Sequence, residues 1–271
     1  MKSFKKALVA ATVAAAAASS FAAVQNVGGV VWDPASGFDF NAGSSAIFQN
    51  LGGAGTVTGY GRIGTVNGNS SFCPGCELTF VFSGFSALGQ GGGPTLPFLP
   101  YTYTNFYAGG TLSFFVDSSQ DFNLLNGTTA GNGTSWLVLN AADQGFGVTF
   151  LGTASFSSPL AGSQLISLGG TGVLDVVGGD PQAIAAINTN TQAFGGDLTF
   201  STTFTNVNSL TYGLQDIDAN PLTPDVMVIT GDSTGGGTIT GKSNQVPEPG
   251  SLALLGLGLI GLAAARRRKA A

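Results

Sequence analysis

Apolar and polar residues alternate with a period of two in several short runs, the spacing of strands that bury one face. Leu78, Phe80 and Phe82 alternate with Thr79, Val81 and Ser83, and Leu112 and Phe114 with Thr111, Ser113 and Phe115. Leu198 and Phe200 repeat the pattern beside Thr199 and Ser201, and Phe146, Val148 and Phe150 are set against Gly145, Gly147 and Thr149. Residues 136–139 and 226–229 are unbroken apolar runs, as expected of strands covered on both faces. Asn67-Gly68, Asn126-Gly127 and Asn132-Gly133 mark tight turns, because the turns that suit hairpins need positive φ. One segment reads as helix: Asp180 is placed to cap it, Pro181 fits its first position, and residues 182–187 are good helix formers. Residues 89–100 hold a Gly/Pro run from Gly91 to Pro94, then Pro97 and Pro100, which predicts a long surface loop that no strand crosses.

The pattern predicts an all-β domain over residues 23–245, a β-sandwich or jelly-roll-like fold. A right-handed β-solenoid is the alternative: Gly-Thr-Val and Gly-Gly-Thr patterns recur around Gly55, Gly64, Gly110 and Gly237, without a fixed period. Composition sharpens this picture. The 271 residues include 43 Gly and 20 Phe, yet only 8% are charged, against about 25% in a typical soluble domain. So many aromatics argue against disorder, and so little charge leaves Ser, Thr, Asn, Gln and Gly to cover the surface.

Charge is concentrated at the ends. Lys2, Lys5 and Lys6 precede an apolar stretch, residues 7–18, broken only by Thr12, and Ser20-Phe21-Ala22 supplies small residues for signal peptidase. Residues 1–22 therefore read as a secretory signal peptide. At the other end, Pro247-Glu248-Pro249 leads into residues 250–265, which carry no charge, and Arg266-Arg267-Arg268-Lys269 follows at once. As a helix this run spans about 24 Å, a little short of the ~30 Å hydrocarbon core. The basic cluster predicts a cytoplasmic end, with the preceding body outside the inner membrane. Between the two ends only Arg62 and Lys242 remain against 13 carboxylates.

Pro247, Glu248 and Pro249, the helix-forming run and Arg266, Arg267 and Arg268 together resemble the PEP-CTERM sorting signal of Gram-negative bacteria, here over residues 246–271. The resemblance implies export through an N-terminal Sec signal, transient anchoring in the inner membrane facing the periplasm, and cutting near the motif by an exosortase. The product then goes to the cell surface or the extracellular space. The class is associated with exopolysaccharide and biofilm matrix. The resemblance implies nothing about the fold of the body.

Within the body, Cys73-Pro74-Gly75-Cys76 holds the only two cysteines. Pro and Gly at the central positions suit a type II turn, and an oxidising compartment makes a Cys73–Cys76 disulfide the natural outcome. A redox pair lacks its βαβ context, and zinc lacks two ligands. Asp216, Asp218 and Asn220 have the spacing of a calcium loop, and Asp225 is a further carboxylate; Pro221 replaces the required Gly and no Glu closes the loop, so a plain polar turn is the alternative. Gly231-Asp232-Ser233 faintly resembles a serine-protease signature, but the chain has no histidine to act as its base, and it reads as a glycine-rich turn. Tyr101, Tyr103, Phe106 and Tyr107 are either a sugar-stacking surface or a strand packed on the core.

The absence of histidine removes Ser-His-Asp and Cys-His catalysis and every His-ligated metal site. The acidic body excludes a nucleic-acid partner that needs a basic surface. No catalytic or cofactor-binding residue stands out, with calcium as the only candidate ligand. The expected function is a non-catalytic surface or matrix protein whose partners are signal peptidase, exosortase, the inner membrane and exopolysaccharide. The alternative is a secreted carboxylate-dependent glycan hydrolase, for which Asp117 and Asp121 are close in sequence but nothing sets two acids across a cleft.

Overall fold

The computed structural model describes residues 24–34, 39–53, 55–92, 101–157, 164–207, 209–215 and 226–244. The strands in chain order are β1 (Gln25–Val27), β2 (Val30–Trp32), β3 (Phe40–Leu51), β4 (Thr56–Arg62), β5 (Thr65–Val66), β6 (Glu77–Gly92) and β7 (Tyr101–Asp117). They continue as β8 (Thr134–Ala141), β9 (Phe150–Phe156), β10 (Leu165–Gly179), β11 (Leu198–Asn206), β12 (Thr211–Gln215) and β13 (Val226–Gly241), with the α-helix α1 (Pro181–Ile187) between β10 and β11. Asp180 caps α1 as expected, its Oδ1 accepting from the backbone of Gln182 and Ala183.

Every pairing is antiparallel, and neighbours in the sheet follow chain order from β3 to β13. The last strand then returns to the first: β13 pairs with β3 from Gly231↔Leu51 to Gly241↔Phe40. The result is an eight-position closed barrel with extra strands, in place of the predicted sandwich or solenoid. Alternation and turn signals read alike for a two-layer and a closed sheet; the deciding contact joins strands at opposite ends of the sequence. Closure leaves no exposed sheet edge along these strands. β8 and β9 share one position in series, since β7 and β10 pair with β8 at one end and with β9 at the other. β6 also runs to Gly92, paired with Tyr103, so a strand does enter the segment predicted to be loop.

An eight-stranded barrel has an interior about wide enough for side chains to fill, and here aromatic rings fill it against glycines. Phe80 and Phe82 of β6 stand opposite Gly61 and Gly59 of β4. A Cβ on Gly59 would lie 2.3 Å from the Phe82 Cζ, and one on Gly61 2.6 Å from that of Phe80. Ile47, Leu112, Phe114, Leu139, Phe200 and Ile239 complete this core. The outer face carries uncharged cross-strand pairs such as Thr199 with Thr240 at 2.7 Å and Thr111 with Asn140 at 3.2 Å. Apolar inside and polar outside is the reverse of a membrane-spanning barrel.

One end of the barrel is plugged. The β1–β2 hairpin lies there, with Trp32, Phe40 and Trp136 in mutual ring contact and the Trp136 Nε1 donating to the Val27 carbonyl at 2.9 Å. α1 contributes buried Ala183, Ala186 and Ile187 to the same end. At the opposite rim lie the paired strand ends Gly92 with Tyr103, Phe156 with Leu165 and Gln215 with Val226. Among the described residues no helix is long and apolar enough to cross a membrane; the predicted signal peptide and residues 250–265 lie outside the described residues.

Candidate functional site

The chain leaves the barrel at its plugged end through three anchored residues. The Lys242 Nζ pairs with Asp39 Oδ2 at 2.8 Å. The Ser243 hydroxyl accepts from the Trp32 Nε1 at 3.4 Å and donates to the Asp39 carbonyl at 3.2 Å. Asn244 donates its backbone N–H to the Ala186 carbonyl at 2.7 Å and its Nδ2 to the carbonyls of Ala185 and Asn188, each at 3.1 Å. These are carbonyls that a helix leaves without intrahelical partners at its C-terminal end. Asn244 thus both caps α1 and fixes the point from which residue 245 departs.

A second constellation lies at the same end. Pro74 and Gly75, the latter with φ of +77°, form the predicted turn, and Cys73 and Cys76 are bridged with Cα atoms 5.1 Å apart. Glu77 follows directly at the start of β6 and stands in register opposite Asp117, the last residue of β7. Both are buried, at 6% and 7% exposure. The Glu77 Oε1 accepts from the Phe122 backbone at 2.7 Å, whereas Oε2 has no hydrogen bond; the Arg62 guanidinium is 3.7 Å away. Asp117 accepts from the Ser119 backbone at 2.9 Å and the Ser119 hydroxyl at 2.6 Å. Asp121, exposed, accepts from the Asn132 Nδ2. One oxygen from each of Glu77, Asp117 and Asp121 lies within 4.8 Å of the others. A polar cleft of about 280 Å³ opens beside Glu77, which lines it together with Arg62, Ser70, Cys73, Cys76 and Gln120.

The two opposed carboxylates respond differently to their surroundings. Burial pushes the Glu77 carboxyl above its ordinary pKa, with Asp117 and Asp121 adding to the rise while the Phe122 N–H and Arg62 oppose it. The Ser119 hydroxyl and backbone hold Asp117 below its ordinary value. In sequence only Asp117 and Asp121 are neighbours. Register across the β6–β7 hairpin brings in Glu77, and that register is not legible until the bulge between Ala87 and Gly89 is placed. Asp117 and Asp121 therefore share one cluster instead of facing each other across a cleft.

The other predicted sites fare variously. Asp216, Asp218, Asn220 and Asp225 lie outside the described residues, as do Pro247, Glu248, Pro249, Arg266, Arg267 and Arg268. Gly231, Asp232 and Ser233 are not a turn but part of β13, with Ser233 buried opposite Gln49. Tyr103 and Tyr107 belong to β7 and pack on the core, Tyr107 at 8% exposure. Phe146 is not a strand residue facing inward: it sits fully exposed at φ of +56°, in a turn where Asp143 Oδ1 accepts from Gly145 and Gly147. Inside the barrel a cavity of about 30 Å³ beside Gln49, Asn105 and Tyr107 has the space of one water.

Compared with protein families, residues 245–269 match the PEP-CTERM protein-sorting motif. No curated protein and no solved structure matches the chain.

Proposed function

From a PEP-CTERM sorting motif that starts one residue beyond the Asn244 anchor, we propose that this is a non-catalytic barrel delivered to the cell surface or extracellular matrix, where it associates with exopolysaccharide. The motif carries the reading, because it makes the chain an exported substrate of exosortase. The barrel supplies a body that is already closed before the tail begins, so cutting at the motif removes no strand from it. Its outer Thr, Ser and Asn pairs are groups that hydrogen-bond sugar hydroxyls without charge. With 13 carboxylates against two cations in the body, long-range repulsion disfavours anionic polymer, and a neutral or cation-bridged glycan is the expected partner.

The test is deletion of residues 247–271 in the producing cell, followed by fractionation and glycan pull-down. The intact chain is expected at the surface and the deletion in the periplasm, with the secreted form retaining glycan and releasing no sugar. Equal surface delivery of the deletion, or glycan turnover by the purified protein, overturns the reading.

A further inference from the structure

The Glu77, Asp117 and Asp121 constellation has a charge that its neighbours leave uncompensated. Glu77 and Asp117 are directly opposed across two hydrogen-bonded strands, an arrangement in which like charges destabilise the pair. Asp121 adds a third carboxylate, and the nearby cation is Arg62, half-exposed and 3.7 Å from the Glu77 Oε2. Its guanidinium also sits 5.7 Å from the Phe122 ring centroid. The Oε2 is nine-tenths buried yet takes no hydrogen bond. Taking a carboxylate oxygen out of water without a donor or a metal is costly.

We propose that Glu77, Asp117 and Asp121 hold a calcium ion. The donor set is all carboxylate oxygen, the preference of a hard divalent cation. The three oxygens lie within 4.8 Å of one another and come from two strand ends and a loop, an arrangement that suits the flexible coordination of calcium better than the near-ideal octahedron magnesium demands. Calcium takes 6–8 oxygens, and the adjoining polar cleft of about 280 Å³ has room for water to complete the shell. The ligands come from the start of β6, the end of β7 and the segment after β7. The ion therefore ties the loop that carries Phe122 and Asn132 to the barrel wall.

Calcium is titrated calorimetrically into the full chain, purified in detergent and stripped with chelator, and thermal unfolding is followed in parallel. One calcium per chain and a melting temperature that rises with calcium are expected. Asp121→Asn should weaken binding at least tenfold without lowering the calcium-free melting temperature, because it removes one of three like charges. Glu77→Gln, which keeps an acceptor for the Phe122 N–H, should also lose the calcium response. A double Asp216→Asn, Asp218→Asn variant should bind like the wild type. Absence of heat and of any melting shift at about 1 mM calcium, the weak end for extracellular modules, overturns the proposal. So does wild-type binding by both Asp121→Asn and Glu77→Gln, or loss of binding in the Asp216/Asp218 variant.

Discussion

The ring of Phe150 lies across the backbone of Gly170, so close that a Cβ on the glycine would stand 2.1 Å from the Phe150 Cζ. The same fit recurs at Gly59 with Phe82 and at Gly110 with Phe85, and it links the two most over-used residue types of the chain. Gly170→Ala is expected to destabilise the barrel by about 1–3 kcal/mol through overpacking. Gly89→Ala, where a Cβ meets no atom within 4 Å, should have little effect. Urea unfolding of both variants checks the contrast, and an equal loss in the two would remove the ring-on-glycine account.

Asp175 of β10 is next to Asp197, whose fully buried carboxylate accepts from the backbones of Val176, Thr189 and Asn190. Burial raises the Asp175 pKa, and Asp197 raises it further. A carboxyl whose folded pKa is raised adds stability below its unfolded pKa and loses it as pH rises through the folded value. Asp175→Asn should therefore stabilise the protein at pH 7 by about 0.2–1 kcal/mol, with the gain vanishing near pH 3. Thermal melts across that range provide the measurement, and a gain that grows toward acid contradicts the assignment.

The plug of the barrel depends on Trp136, whose indole N–H is the buried partner of the Val27 carbonyl. Trp136→Phe removes that hydrogen bond, at a cost of about 0.5–1.5 kcal/mol. The loss should be local to the β1–β2 hairpin, so hydrogen exchange at residues 25–32 is expected to rise before that of β6 or β7. Uniform exchange acceleration through the barrel would place the plug within the global unfolding unit.

The Cys73–Cys76 bridge closes a very short loop, which limits what it takes from the unfolded chain. Replacing both cysteines with Ala should cost no more than about 2 kcal/mol, the lower end for disulfides. Mass spectrometry of the native protein should find the bridge, and two freely alkylatable thiols would contradict it.

Much of the local structure was legible in the sequence. The alternating runs at 78–83, 111–115 and 198–201 are strands, Asn67-Gly68 is a tight turn with both φ values positive, and Asp180-Pro181 opens α1. Closure was not, because the pairing of β13 with β3 depends on contacts such as Asp232 with Asn50, 182 residues apart. Phe146 misled for a local reason: two flanking glycines and the Asp143 carboxylate favour a left-handed turn over continuation of the strand. The carboxylate cluster was half visible. Asp117 and Asp121 stand close in the chain, while Glu77 joins them only through hairpin register.

The anchoring of Lys242, Ser243 and Asn244 sets a leash length. From Asn244 to Pro249 the backbone can reach at most about 18 Å, so whatever grips the chain beyond Pro249 holds the barrel by its floor at close range. The rim where β6 meets β7 and β12 meets β13 is the end of the barrel farthest from that grip.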